Sequence, residues 1–232
     1  MNAWPALKQV LFDGWIVRSA RGFTRRANSV TPLAAGSHRS LSDRVRWCEN
    51  YYARKGLATL FRLPSCCPVD ALKTLLLTRR YTTEDPTRVL VAPIEAGEAP
   101  AAVRFTDRAH WLGIYSQLTG QPENARTLHD LVLRGIPGDS IFGEVQEGGR
   151  PVACGFAVVE DDLVGLFDIV TAPDARRRGF GRLLLTALHG RAHLLGARIA
   201  YLQMRADNAP AAALYAGLGY REHYRYEYLR AP

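Results

Sequence analysis

The chain has 232 residues, of which 47% are hydrophobic and 22% are charged, and its formal net charge is +8. This composition supports a sizeable core in one large or two small domains and excludes a disordered chain. No stretch approaches the ~18 apolar residues of a membrane span, the first twelve residues lack the pattern of a secretory signal, and the four cysteines have no zinc-ligand spacing, so we expect a cytoplasmic protein without a bound metal.

The first hundred residues predict alternating strands and helices. Turn residues and apolar periodicity indicate, in order, a hairpin of 15–21 and 23–30 around Gly22, a helix over 42–55, a strand over 57–63, a helix over 69–79 and a strand over 88–93. The Pro- and Gly-containing stretch 92–101 is typical of a linker. We therefore predict two domains, residues 1–95 and residues 102–232.

The second part of the chain begins with two predicted helices and continues with antiparallel strands. The helices cover 106–118 and 122–133, and the strands cover 140–146, 152–160 and 163–171. Gly148-Gly149 and Asp161-Asp162 are the turns between these strands. Consecutive strands joined by short turns predict an antiparallel sheet.

A glycine- and arginine-rich loop, Arg176-x-x-Gly179-x-Gly181, follows the last of these strands. A strand that turns through glycines into a helix presents unpaired backbone N–H groups at the positive end of the helix dipole. Such a helix start is an anion site suited to a phosphate or pyrophosphate. The glycine order does not match a dinucleotide fingerprint, and no Gly-Lys-Ser/Thr of a Walker loop is present.

The elements after the loop continue the alternation. Apolar spacing predicts a helix from about Arg177 to Leu195, a buried strand over 198–204 and a short helix from Asn208 to about Ala216. The Tyr-rich segment 220–229 predicts a final strand or hairpin. Asn208 is a cap candidate and Pro210 is suited to the first turn. Asn208 and Tyr215 are seven residues apart and therefore share one face of this helix.

Two motifs in this order resemble those of the GNAT superfamily of N-acetyltransferases, over the region from about residue 102 onward. Arg176-x-x-Gly179-x-Gly181 matches the pyrophosphate motif of that superfamily in full. The segment from Asn208 to Tyr220 matches its C-terminal motif closely. The resemblance implies an α/β fold with a mixed, mainly antiparallel central sheet flanked by helices.

The resemblance also implies acetyl-CoA as the acetyl donor and assigns the residues that hold it. Backbone groups near Ile169, Val170 and Thr171 would hold the pantetheine arm, and Asn208 would contact the cofactor from the next helix. Residues 176–182 would hold the pyrophosphate, namely Arg176, Arg177, Arg178, Gly179, Phe180, Gly181 and Arg182. Tyr215 would point its hydroxyl at the thioester sulfur and protonate the leaving thiolate.

Transfer of an acetyl group to an amine also needs a base, because an ammonium ion is not a nucleophile. Asp168 lies on the strand that leads into the loop, and Glu144 lies on an earlier strand. Either carboxylate fits this role, and each also fits an ordinary structural role, pairing with an arginine or facing solvent. The resemblance does not choose between them.

Two other functions fit parts of the pattern. A catalytically silent acyl-CoA-binding module would need only the loop, and Tyr215 favours an enzyme over it. A basic factor that binds protein or RNA would need positive charge spread along one face, whereas the arginines here are local. We expect acetyl-CoA and an unidentified amine as partners, with no membrane and no nucleic acid, in a monomer or a homodimer.

The first half repeats the order of the second in a shortened form. Thr31-Pro32 corresponds to Thr171-Ala172-Pro173, but the loop that follows it lacks Arg-x-x-Gly-x-Gly. We therefore expect residues 1–95 to be a smaller, degenerate GNAT-like half that does not bind coenzyme A.

Overall fold

The computed structural model describes residues 2–36, 38–97 and 101–232. Eleven strands and six α-helices lie within these residues: β1 (Lys8–Phe12), β2 (Trp15–Ser19), β3 (Val30–Pro32), α1 (Leu41–Ala53), β4 (Leu60–Pro64), α2 (Asp70–Thr78), β5 (Thr82–Pro93), β6 (Val103–Thr106), α3 (Arg108–Thr119), α4 (Glu123–Arg134), β7 (Asp139–Glu147), β8 (Arg150–Glu160), β9 (Leu163–Thr171), α5 (Phe180–Leu194), β10 (Ile199–Arg205), α6 (Ala209–Ala216) and β11 (Arg221–Arg230). The predicted α/β class is confirmed. Part of the predicted linker, 98–100, lies outside the described residues.

The chain divides into two compact units. Leu90–Met204 and Asn208–Glu222 form most of the larger unit, whereas Trp4–Val89, 205–207 and 223–232 form the smaller unit. The final strand therefore belongs mostly with the first part of the chain.

The smaller unit is built on a mixed sheet in the order β1-β2-β3-β4-β11. β3 and β4 are parallel and the other neighbours are antiparallel. β11 pairs with β4 from Tyr226 opposite Pro64 to Arg230 opposite Leu60. The apolar core of the smaller unit is formed by side chains from these strands and from α1 and α2, among them Trp15, Tyr52, Phe61, Leu76 and Leu229.

The predicted hairpin of 15–21 and 23–30 is correct only in that β2 pairs antiparallel with β3, because 20–29 is a loop and no tight turn lies at Gly22. β2 instead forms its hairpin with β1, across Asp13 (φ 41°) and Gly14 (φ 82°), whose left-handed conformations suit a tight two-residue turn. Asn28 explains why 20–29 is a loop. Its buried side chain accepts from the N–H groups of Ala20 and Gly22, at 2.7 and 2.9 Å, so these amides are satisfied without a strand partner.

The larger unit has a sheet in the order β10-β9-β8-β7-β6, in which only β9 and β10 are parallel. Helix α5 covers one face, since a Cβ at Gly143 or Gly155 would lie within 3.3 Å of Leu184. Helix α3 covers the other face, where Trp111 contacts the rings of Phe142 and Phe156. Side chains of β7, β8 and β9 therefore lie alternately under α5 and under α3.

One boundary and one strand in the larger unit differ from the prediction. The long helix begins at Phe180 and not near Arg177, because Arg177 (φ 60°) and Gly179 (φ 86°) have left-handed backbone conformations that a helix does not contain. The strand β6 (Val103–Thr106) was not predicted. It ends just before Asp107, whose side chain caps α3 by accepting from the N–H of His110.

Candidate active site

A cleft of about 680 Å³ opens where β9 ends and α5 and α6 begin. Its walls come from the end of β9, the loop that follows, the first turn of α5 and one face of α6. The lining residues are Ile169, Val170, Thr171, Ala175, Arg176, Arg177, Gly179, Phe180, Gly181, Arg182, Asn208, Pro210, Ala211, Leu214 and Tyr215. The two sequence motifs therefore meet in one concave site.

The loop shape depends on its two glycines in different ways. Gly179 has φ 86°, a conformation that side chains disfavour, although a Cβ there would meet nothing within 4 Å. A Cβ at Gly181 would lie 3.3 Å from Leu214 and 3.6 Å from the hydroxyl of Thr171. The first glycine sets the backbone path, and the second keeps the start of α5 close to α6 and β9. Together they expose the first amides of α5 to an anion.

The arginines of the loop differ in where they point. Arg176 donates to the carbonyl of Thr171 at 3.4 Å, and Arg182 donates to the carbonyl of Gly217 at 3.0 Å, so both stay at the cleft. Arg178 does not line the cleft. Its guanidinium forms a bidentate pair with the Glu147 carboxylate, with N–O distances of 2.8 and 2.5 Å. Cationic charge at the cleft therefore comes from Arg176, Arg177 and Arg182.

Asn208 and Tyr215 lie on the cleft side of α6. The Asn208 side chain caps the helix by accepting from the N–H of Ala211 at 3.2 Å. Tyr215 is buried, and this burial raises its pKa to about 12. The phenol therefore keeps its proton at neutral pH and is a donor available inside the cleft.

Tyr215 contacts Tyr220, which in turn contacts His189. The Tyr220 N–H donates to the Tyr215 carbonyl at 3.0 Å, and the two rings meet edge to face. The Tyr220 hydroxyl lies 2.7 Å from Nε2 of His189 on α5. Burial lowers the pKa of His189 to about 4, so its imidazole is neutral at pH 7. These contacts join the helix that carries Tyr215 to the helix that follows the loop.

Asp168 occupies an irregular point of β9. The register between β8 and β9 shifts between Cys154 and Phe156, and Asp168 has φ 50°. Such a bulge redirects a side chain. The Asp168 carboxylate lies outside the cleft lining, with Oδ2 3.1 Å from Nε2 of His129, which is 1% exposed.

Glu144 lies on β7 and is 1% exposed. Its Oε1 accepts from the Gln146 side chain at 3.1 Å and lies 3.6 Å from Nε2 of His110. Its Oε2 is buried and has no hydrogen-bond partner within the part of the chain that the structure describes. Like Asp168, this carboxylate does not line the cleft itself.

Cys154 links these carboxylates to the cleft. It is the cross-strand partner of Glu144 on one side and of the cleft residue Val170 on the other. Desolvation, together with the charges of Asp168 and Glu144, raises the pKa of its thiol. Both carboxylates therefore lie near the same buried sulfur, one strand away from the wall of the cleft.

No cluster of three or more metal-ligating side chains occurs among the described residues. Within the same residues, the helices are too short or too polar to cross a membrane.

A family model described as "Probable histone acetyltransferase Rv0428c C-terminal" matches residues 1–229. The chain belongs to this family, within the GNAT superfamily of N-acetyltransferases. This GNAT protein is 26% identical over 235 residues to the uncharacterized N-acetyltransferase YobR of Bacillus subtilis, covering 96% of this chain and 94% of YobR. It is 28% identical over 237 residues to the probable histone acetyltransferase Rv0428c of Mycobacterium tuberculosis, covering 99% of this chain and 70% of that protein.

A solved structure supports the same fold. The GCN5-related N-acetyltransferase of Kribbella flavida aligns with a TM-score of 0.69 at 17% identity, over 98% of this chain and 90% of that one. Membership of the GNAT superfamily supports acyl transfer with an acyl-CoA as cosubstrate.

Three residues of this GNAT protein near the carboxylates were not predicted from the sequence: Tyr115, His129 and Cys154. Desolvation and the Asp168 charge raise the pKa of Tyr115, which places its phenol near that carboxylate. Each of the three occurs in an apolar helical or strand pattern without a motif. The only signal in the sequence was a lone polar residue on an otherwise apolar face, and this signal does not distinguish a site residue from an ordinary core residue.

Proposed function

We propose that the protein transfers the acetyl group of acetyl-CoA directly to a primary amine, with Tyr215 as the general acid. The observation that carries this proposal is the composition of one cleft. Its loop end has exposed amides and arginines, and a buried, protonated phenol lies on α6 in the same cleft. An anion-binding end and a proton donor in one site suit a phosphate-bearing thioester.

The chain offers groups for each part of the donor. The amides after Gly179, with Arg176, Arg177 and Arg182 around them, would hold the pyrophosphate. The backbone of 169–171, at the end of β9, would hold the pantetheine arm, because a strand edge offers N–H and C=O groups to an extended ligand. Asn208 would contact the donor from α6. Arg178 would act indirectly, by fixing the loop through Glu147.

The chemistry requires three further contributions from the protein. The cleft would hold amine and thioester together, which lowers the entropic part of the barrier. A backbone N–H at Val170 or Thr171 would stabilise the tetrahedral oxyanion. Asp168 or Glu144 would accept the proton that the ammonium loses, and Tyr215 would give its proton to the thiolate of the departing coenzyme A.

The test of this proposal is Tyr215→Phe, which removes the acid and keeps the ring. We expect kcat to fall about 100-fold, in the range typical for loss of a general acid, while the Kd for coenzyme A, measured by calorimetry, changes less than about twofold. Tyr51→Phe in the smaller unit is the control for a general tyrosine effect. Unchanged turnover in Tyr215→Phe would reject the acid role.

The alternative is a catalytically silent acyl-CoA-binding module. It predicts binding of acetyl-CoA without thiol release for any amine in a broad panel. The panel should include a protein amine, because the relative from Mycobacterium tuberculosis is named a probable histone acetyltransferase.

A further inference from the structure

The tip of the β7–β8 hairpin contacts the loop before α5 through two ion pairs of opposite polarity. The Glu147 carboxylate pairs with the Arg178 guanidinium at 2.8 and 2.5 Å, and the Arg150 guanidinium pairs with the Asp174 carboxylate at 2.7 Å. Glu147 and Arg150 are directly opposite in the hairpin, so their side chains lie on the same face of it. One face of the hairpin therefore holds the loop at two points.

These two points flank a segment that faces the cleft. Arg176 and Arg177 line the cleft, whereas Asp174 and Arg178, on either side of them, do not. The hairpin therefore binds the flanks of the loop, and the arginines between the flanks form part of the cleft wall.

The held segment contains a backbone conformation that needs support from outside. Arg177 has φ 60°, a left-handed conformation that a residue with a Cβ adopts only at a cost in free energy. Such a conformation persists where the surrounding contacts fix it. The ion pairs at Asp174 and Arg178 are contacts of this kind, because each joins the loop to the neighbouring hairpin of the sheet.

Exposure to solvent sets the size of the effect that these ion pairs can have. The four side chains are 40–60% exposed, and an isolated pair at such a position stabilises a protein little. A bidentate arginine–carboxylate pair is stronger than most exposed pairs, and here a second pair acts on the same loop. We therefore expect changes of several-fold, not of orders of magnitude, when the pairs are broken.

We propose that Glu147 and Arg150 are positioning residues for donor binding, which hold the loop in the shape that exposes the first amides of α5. This inference rests on the proposed function. Arg178 then serves the ion pair with Glu147 and does not contact the donor. The two possible roles of Arg178 predict opposite effects of removing Glu147. A negative charge beside an anion site repels the anion, so its loss should tighten donor binding if charge alone acts, whereas loss of a positioning contact should weaken it.

The first test is the Kd for coenzyme A, measured by calorimetry for Glu147→Gln, Arg178→Gln and the double variant. We expect each single variant to bind about fivefold more weakly and the double variant to lose no more, because both substitutions break the same ion pair. The control is Asp130→Asn, which makes the same change in charge and removes the ion pairs with Arg108 and Arg134 on α3 and α4. It should bind like the wild type. Unchanged or tighter binding by Glu147→Gln, or additive losses in the double variant, would overturn the inference.

The second ion pair is tested by Arg150→Gln and Asp174→Asn. These variants change the net charge in opposite directions, and both should weaken coenzyme A binding about threefold, because each breaks the same pair. Opposite effects on the Kd would show that only charge acts at this pair and would reject Arg150 as a positioning residue.

A further measurement does not depend on the donor. Trypsin cleaves after arginine, so cleavage after Arg176 and Arg177, followed by mass spectrometry without coenzyme A, reports how often the loop opens. Glu147→Gln should raise this rate about fivefold, and Asp130→Asn should leave it unchanged. An unchanged rate in Glu147→Gln would overturn the inference. Failure of the wild type to bind coenzyme A would reject the proposed function, and the cleavage rates alone would then decide whether the hairpin holds the loop.

Discussion

His189 shows how one side chain makes stability depend on pH. Burial lowers its pKa to about 4 from the ordinary 6.5, while the unfolded chain titrates normally. Because the pKa is depressed in the folded protein, the contribution of the neutral His189 ring to the free energy of unfolding is fully present above pH 6.5. This contribution is lost as the pH falls from 6.5 toward 4. The neutral ring also accepts or donates at the Tyr220 hydroxyl, so protonation would disturb the support of Tyr215.

We predict that His189→Gln will lose less stability than the wild type between pH 7.5 and pH 4.5. The difference should be about 2 kcal/mol, from two pH units at 1.36 kcal/mol each with a discount for partial exposure. Thermal melting at both pH values measures it, as a difference of roughly 5 °C. Thr186→Ser, on the exposed side of α5, changes no titratable group and is the control, so its pH loss should equal that of the wild type. Equal losses in all three proteins would contradict the prediction.

The loop before α5 is the element on which donor binding depends. Gly179 and Gly196 are left-handed residues at opposite ends of this helix, with φ 86° and 104°, and a Cβ at either would meet nothing within 4 Å. Substitution by alanine therefore imposes similar backbone strain at both ends, of order 1–2 kcal/mol.

We predict that Gly179→Ala will weaken coenzyme A binding about tenfold, because the strain shifts the amides at the cleft. Gly179→Ala and Gly196→Ala should lower the melting temperature by similar amounts, but Gly196→Ala should leave the Kd for coenzyme A unchanged. Calorimetric titration of coenzyme A with both variants measures the difference. Equal affinities in the two variants would show that the loop conformation does not control binding.

At this scale the sequence predicted the elements where local patterns determine them. Asn208 and Pro210 predicted the start of α6, and the residues of the glycine-arginine pattern, apart from Arg178, line the cleft. Arg178 was not separable from its neighbours by sequence, because its partner Glu147 lies on another hairpin. Similarly, the bulge at Asp168 depends on pairing with β8, and no local pattern in β9 indicates it. Cross-strand register was therefore the missing information.

At the scale of the whole molecule, the identity of the smaller unit remains a prediction. We expect a degenerate transferase-like half that does not bind coenzyme A. Where α1 begins, a Cβ at Gly36 would lie 2.5 Å from the Arg44 guanidinium and from the Asp13 carboxylate. Arg44 also stacks on Trp15 at 4.5 Å. The cavity beside them is about 190 Å³, much smaller than the cleft of the larger unit.

We predict that residues 1–95 alone will not fold, because β4 lacks its antiparallel partner β11 and Leu229 is missing from the core. Joining residues 221–230 to this fragment through a flexible linker should restore a cooperative unfolding transition, measured by circular dichroism. The same fusion with Leu229→Asp is the control and should stay unfolded. A folded 1–95 fragment would show that β11 is dispensable.

The pairing of β4 with β11 also has a consequence for synthesis. Arg225 donates its N–H to the Ser65 hydroxyl across 160 residues of sequence. At translation rates of about 5–20 residues per second, β11 is synthesised roughly 10 to 30 s after β4. During that interval the edge of β4 that β11 later covers is unpaired and therefore open to wrong pairing.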